Sequence, residues 1–548
     1  MEKILILGAG LMQKKAILSA KKIAKAVVID KNPCAPCVSL SDEFYPVDLK
    51  DKESILTLAE QLSNDRDKLI GIFTAGTDFS SSVSYAAEKL NLPCHSYISS
   101  LNASSKKRMR EIFQKEKIPS AKFISFSKDD YSFSKAQDFA LSIGFPVVVK
   151  PSDNMGSRGC RIAGNSLELE KAVEESFKYS SSKTVIIEEF LDGKEFSIDA
   201  LVYEDSFTVT GFASRHIFYP PYFIEMGHTL PSLISEQDKL NLISTFSLAV
   251  KALGLSCGAA KADIKLTSKG PRIGEIAARL SGGYMSGWTF PYSSDFDLTE
   301  EALKIACSMK PEKLLSCRKE IPFLPPESCK NFFKPFNLFE IHTNSFSAER
   351  AWISIPGTVK DVLGFQDAEK VSGIMDVIPS NLKTGDKVFF PRNNVSKCGN
   401  VISKAETFDS SVLSAEKAVS KIIVRLKAND EETEKFLNSV FLEDEKNFPP
   451  DAYSFYPEIK NDFFPGMILK NSPVKDFIPE KLEKYFSSSE KSWNYLTLSQ
   501  AVSVFDEKFP NHPPLPCDRF FKSLFRGGLQ AIIYVLDSIS ENNIRTEF

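Results

Sequence analysis

Short apolar runs alternate with amphipathic stretches along the first hundred residues. Residues 3–7 (KILIL) read as a buried strand, Gly8-Ala9-Gly10 as a turn, 12–25 as a helix and 26–30 as a second strand. Val47-Asp48 predicts the end of a third short strand, 54–62 a helix and 69–74 (LIGIFT) another strand, and Gly76-Thr77-Asp78 precedes a helix over 82–90. Strands and helices in alternation with short connections predict a parallel sheet covered on both faces.

From Ser104 the pattern changes. SSKKRMREIFQKEKIP predicts a basic amphipathic helix with Met109, Ile112 and Phe113 on its apolar side and Lys106 at its start. A strand over 123–125 and a helix over 135–143 lead into FPVVVKPSDNMGSRGCR at 145–161. Here Val147, Val148 and Val149 deliver Lys150 to the mouth of a polar turn holding Gly156, Ser157 and Gly159. Glycines let backbone N–H groups approach phosphate oxygens, and a lysine adds a point charge for the same anion. The lysine precedes the glycines, which is not the order of the Walker A loop. Taken alone, the stretch also fits a β-hairpin with a glycine turn.

A helix over 166–179 follows, then a strand at 185–187, Glu188-Glu189-Phe190-Leu191, a turn at Asp192-Gly193 and a strand from Glu195 to Asp199. The strand at 206–214 ends at Arg215-His216, and Ser235 caps a helix reaching 253. Two further strands, GAAKADIKL at 258–266 and the start of PRIGEIAARLSGGYMSG at 271–287, carry Asp263 and Glu275. A strand pair sets such carboxylates side by side, and hard oxygen ligands of that kind suit Mg²⁺; two solvated strand acids are the plainer reading. Arg279 stands four residues after Glu275 and just before Ser281-Gly282-Gly283, where a guanidinium holds a phosphoryl group or carboxylate bidentately, or simply a surface acid.

Composition narrows the function classes. At 548 residues the chain is too long for one core and implies three or four domains. A net charge of −3 gives no reason to expect nucleic acid or an anionic membrane as partner. The run in MEKILILGAG is too short for a secretory h-region, and no apolar run of about 18 residues predicts a membrane span. Ten scattered cysteines make no disulfide framework, which fits a cytoplasmic protein. Cys34-Ala35-Pro36-Cys37 is a C-x-x-C, but it has no second cysteine pair for zinc and no helix after it for redox work. Gly8-Ala9-Gly10 with Asp30 resembles part of a dinucleotide fingerprint in which Gln13 stands where the third glycine belongs.

Three of these segments, KPSDNMGSRG at 150–159, IIEEFLDGKEFSID at 186–199 and GAAKADIKL…PRIGEIAARLSGG at 258–283, resemble in order and spacing the ATP-grasp superfamily of carboxylate–amine ligases, over residues 3 to about 426. The resemblance implies an α/β fold: a parallel-sheet nucleotide-like domain (1–100), a two-lobed ATP-grasp domain (101–310), a small β-rich lobe (311–428) and an appended, mostly helical domain (429–548). It implies that Lys106 and Lys150 contact ATP phosphates and that Asp153–Gly159, with Gly156 and Ser157, forms a lid. Glu188, Glu189, Phe190 and Leu191 would form the adenine hinge, and Glu195 would bind the ribose. Asp263 and Glu275 would hold Mg²⁺, with Mn²⁺ as a substitute, and Arg279 would bind the acyl phosphate with Lys150 as its catalytic companion. Alanine at 277, where the family often writes asparagine, implies a looser second metal. The stretch 215–232 resembles the amino-acid-ligase and purine-biosynthesis branches, which implies that Arg215, Glu225 and His228, together with Arg279, Ser281 and Gly282, line the substrate pocket. The small lobe is expected as short strands and turns with a helix from 414 to about 426; beyond it the chain is aromatic-rich and its role is not legible.

The activity so implied is ATP- and Mg²⁺-dependent joining of a small-molecule carboxylate to an amine through an acyl phosphate, with homodimers common in the family. Carboxylation or formyl transfer in nucleotide biosynthesis is the nearest alternative. An NAD-dependent oxidoreductase using Gly8, Gly10 and Asp30, and a sensor that binds ATP without turning it over, are the others.

Overall fold

The computed structural model describes residues 2–64, 68–326, 335–438, 448–459, 467–470 and 473–546. It divides into two compact units: Met1–His216 with His228–Ala348 and Lys404–Phe408, and Ile217–Gly227 with Glu349–Ser403 and Asp409–Phe548.

The first unit opens on a parallel sheet of β1 (Lys3–Leu7), β2 (Lys25–Ile29), β3 (Glu43–Tyr45) and β4 (Leu69–Phe73) in the order β3-β2-β1-β4. Helices α1 (Lys14–Ile23) and α2 (Lys52–Asn64) connect its strands, and α3 (Ser80–Lys89) follows β4. Ile4, Ile6 and Val28 join one core while Leu5, Leu7, Val27 and Ile29 join another, which is why the runs read as continuously apolar. The third strand lies at Glu43–Tyr45 rather than at Val47-Asp48. Pro46 ends it, and Asp48 instead accepts the Lys50 N–H in a turn.

Helices α4 (Tyr97–Ser104) and α5 (Lys106–Lys115) lead to an antiparallel sheet of β5 (Phe123–Ser127), β6 (Val147–Pro151), β7 (Arg161–Ala163) and β8 (Thr184–Glu189), ordered β5-β8-β6-β7. Helices α6 (Phe133–Ile143) and α7 (Ser166–Tyr179) cover it. A third, antiparallel run of strands places β13 (Gly270–Ala277) beside β12 (Gly258–Thr267), then β9 (Lys194–Tyr203) and β10 (Ser206–Phe218). Helix α8 (Glu236–Ala252) packs Ile243 and Phe246 in one core with Phe196, Ile198, Ala262 and Ile276 of those strands. The strand expected to end at 214 runs on to Phe218 as β10, and β11 spans Ile224–Leu230 within the 215–232 stretch.

In the second unit, Gly357–Leu363, Lys387–Val388 and Ile423–Leu426 form a small antiparallel sheet. The helix expected at 414–426 spans Phe408–Val419 instead, and the β-branched run Ile422-Ile423-Val424 supplies the strand that follows. Four helices, Glu431–Asn438, Glu480–Phe486, Leu498–Lys508 and Cys517–Thr546, account for most of the described structure beyond it. Trp352, Ile355, Val424 and Leu426 share one core with Phe436, Phe521, Leu524, Ile532 and Leu536.

Candidate active site

The pleat of β12 builds the site. Ala260, Ala262 and Ile264 point into the core, so Lys261, Asp263 and Lys265 emerge on the opposite face. The register sets Lys261 against Asp199 and Asp263 against Ser197 on β9, and Lys261 against Ala277 and Asp263 against Glu275 on β13. The two carboxylates predicted to lie side by side are thus cross-strand neighbours. A bulge after Asp263 shifts the pairing beyond it.

Glu275, Asp263 and Glu195 each meet a cation. Glu275 accepts from Lys106 Nζ at 3.2 Å, while Asp263 is bridged by Lys261 and lies 2.9 Å from Arg215 Nη1. Arg215 also reaches Glu195 at 2.6 Å, and Lys265 stands 3.7 Å from the other Glu195 oxygen. Burial disfavours the charged lysine at 106, but Glu275 and Asp78 outweigh it and hold its pKa above the ordinary value.

Lys150, at the end of β6, lies 2.5 Å from Glu188 Oε2, and Arg110 of α5 donates through Nε to Glu188 Oε1 at 2.8 Å. Burial opposes ionisation of Glu188, yet the two cations prevail and hold its carboxyl below the usual range. Arg110 was not singled out in the sequence. Its side chain is 1% exposed, and Nη2 donates 2.6 Å to the Gly274 carbonyl, tying α5 to β13.

The glycine loop is anchored at its start. Lys106 donates its backbone N–H to Ser152 O at 2.9 Å and its Nζ to Asn154 O at 2.8 Å. Asp153 accepts from Ser180 Oγ at 2.8 Å and Ser182 N at 2.6 Å. Gly156, Ser157 and Gly159 all take left-handed φ, near 65°, 60° and 70°. At Gly159 a Cβ would also sit 2.8 Å from Tyr179. In the segment expected as the hinge, Glu189 N donates to Lys122 O at 2.9 Å, Leu191 O accepts from Lys265 Nζ at 2.9 Å, and the Phe190 ring lies 5.5 Å from that ammonium.

Arg279 is no surface ion pair. It is buried against Asp78, with Nε and Nη2 at 2.6 and 2.5 Å from Oδ1, and donates to Leu280 O at 2.9 Å. Ser281 donates its N–H and hydroxyl to Asp199 Oδ2 at 3.1 and 2.8 Å. Burial pushes the Asp199 carboxyl up to about 6 against those hydrogen bonds. Gly282 passes beside Gly76, where a Cβ would come within 3.1 Å of the Gly76 carbonyl. Asp78, Asp199 and Lys261 escaped the sequence reading because nothing local marks them: Asp78 and Asp199 meet Arg279 and Ser281, which lie 201 and 82 residues further on, and Lys261 is placed by the register of β12 against β9 and β13.

His228 is buried on β11 with Nε2 2.7 Å from Thr289 Oγ1. Glu225 lies in the second unit, where its N–H donates to Asn394 Oδ1 at 2.8 Å and its carbonyl accepts from Lys397 Nζ at 2.9 Å. Two carboxylates with water and phosphate oxygens form the ligand set Mg²⁺ takes, so Asp263 and Glu275 fit that ion. The fingerprint at Gly8 is filled by the protein itself. Gln13 is fully buried, donating to Thr74, Thr77 and Ala75 and accepting the Ala75 N–H at 3.0 Å, while Asp30 accepts the Ala9 N–H at 2.9 Å.

Residues 143–287 match the ATP-grasp domain family, and 351–427 match the L-amino acid ligase C-terminal domain 2. An uncharacterized protein of Sinorhizobium fredii, y4rH, is 22% identical over 384 residues, 69% of this chain and 73% of its own. The L-amino acid ligase from Bacillus licheniformis superposes with a TM-score of 0.63 at 18% identity, covering 78% of this chain and 99% of that one. Phosphoribosylglycinamide synthetase from Anaerococcus prevotii gives 0.57 at 21% identity, covering 78% and 100%. The chain therefore shares the fold of these solved structures, with residues 143–287 matching an ATP-grasp domain and 351–427 an L-amino acid ligase C-terminal domain 2.

Proposed function

We propose that this protein is an ATP- and Mg²⁺-dependent ligase that joins a carboxylate to an amine, with amino-acid or peptide-like substrates, releasing ADP and phosphate. The observation that carries the reading is the Asp263–Glu275 pair facing Lys106 across β12 and β13. Asp263 and Glu275 would hold Mg²⁺, which supplies charge neutralisation at phosphate oxygens. Lys106 and Lys150 bind the phosphates as point charges, and Arg279, fixed by Asp78, binds the acyl phosphate. The glycine loop keeps water from that mixed anhydride until the amine attacks its carbonyl carbon, expelling phosphate and losing a proton. Such a reaction rests on positioning and electrostatics rather than on covalent help from side chains. We place the enzyme in the cytoplasm, as a homodimer.

ADP release screened over amino-acid pairs, with dipeptides identified by mass spectrometry, tests this directly. Lys150→Ala and Glu275→Ala are each expected to cut turnover by ~10²-fold or more, the usual loss when a preorganised charge is removed. Wild-type ADP release from either variant overturns the assignment. Likeness to phosphoribosylglycinamide synthetase supports a second reading in nucleotide biosynthesis, so bicarbonate and ribonucleotides belong in the same panel.

A further inference from the structure

On the site face of the β12–β13 pair, four positions form a square: Asp263 opposite Glu275 and Lys261 opposite Ala277. Three corners carry charge and the fourth is a buried methyl group. Lys261 bridges to Asp263, its side chain only 12% exposed, and Arg215 reaches the same carboxylate. Among the described residues no third His, Cys, Asp or Glu joins the two carboxylates in a metal-holding group. The face thus offers oxygen ligands on one side of the square and an ammonium on the other.

Resting on the ligase reading above, we propose that Lys261 takes the place of a second divalent cation, so that the site holds one metal ion per nucleotide. Ala277 leaves the position opposite Lys261 free of any bulky side chain, so there is room there for the ammonium or, without it, for a second hydrated ion on the shared carboxylates. An ammonium there supplies fixed positive charge and, besides its bond to Asp263, two further donors to phosphate oxygens without a coordination sphere of its own. A second dication beside Lys261, Arg215 and the first ion would meet repulsion, with only already shared carboxylates to offset it.

Counting bound Mn²⁺ by electron paramagnetic resonance tests this, using the full chain saturated with a non-hydrolysable ATP analogue. One tightly held ion per chain is expected in the wild type, and two in Lys261→Met, which keeps the length but not the charge. Lys261→Arg, which keeps the charge, is expected to stay at one. Two ions in the wild type, two in Lys261→Arg, or one in Lys261→Met overturns the role of Lys261 while leaving the ATP site standing. Analogue binding without any bound ion strikes the metal-dependent ligase reading itself, and this inference with it.

Discussion

His95 is buried and fully satisfied as a neutral ring. Its Nε2 donates to Ala259 O at 2.8 Å, and Nδ1 accepts the Ser256 and Cys257 N–H groups at 3.1 Å each. Protonating Nδ1 would forfeit both, and burial holds the pKa down to about 4. The unfolded chain takes that proton near 6.5, so the stabilisation is complete above pH ~6.5 and is lost as pH falls toward 4, by up to ~3 kcal/mol. Asp199 carries the opposite sign. Its folded carboxyl titrates at about 6, above the unfolded value of ~3.9, so the folded state holds the proton more tightly and stability falls as pH rises from about 4 to 6. Urea unfolding at pH 4.5 and 7 separates the two. His95→Gln is expected to lessen the loss of stability on acidification, and Asp199→Asn to deepen it, because it removes the partial compensation. Identical acid sensitivity in wild type and both variants contradicts the assignment.

At the scale of elements, Arg110 works as a rivet. From α5 it reaches Glu188 on β8 and Gly274 on β13, so the lysine-bearing sheet and the carboxylate-bearing strand are fixed through one guanidinium. Arg110→Met should cost about 3 kcal/mol in denaturant unfolding, because a buried carboxylate loses one of its two cations. Glu188→Gln in the same background should restore part of that loss, since the uncompensated charge is then gone. A purely additive pair of losses speaks against the coupling. The same residues show what a linear reading can reach. Strands were legible in VVVKP and GAAKADIKL because the apolar residues that enter their cores stand close together in the chain. So were the carboxylates at 263 and 275, since only a short turn separates β12 from β13. Arg110, Asp78 and Asp199 were not, because their partners lie 78, 201 and 82 residues away and only the sheet order brings them together. Residues 215–232 misled for a related reason. Pro220 and Pro221 mark a break, but the hairpin strands on either side run on past the positions where polarity rises.

For the molecule as a whole, the second unit shows that the segment after 428 is structural. Phe521, Leu524, Ile532 and Leu536 complete the same core as Trp352, Ile355 and Leu426. Deleting 429–548 should therefore leave the remaining unit-two residues with an uncovered apolar face. Such a truncated chain is expected to bind the dye ANS strongly and to aggregate on expression; a soluble, cooperatively unfolding product would show that 349–428 is self-sufficient. This shared core also has a consequence on the ribosome. Leu536 is made about 110 residues after Leu426, and at ~5–20 residues per second that is a delay of roughly 5–20 s. For that interval Trp352, Ile355 and their neighbours wait in a nascent chain for the last helix that completes their core. The span in which a chaperone has most to hold is thus written into the order in which this core is synthesised.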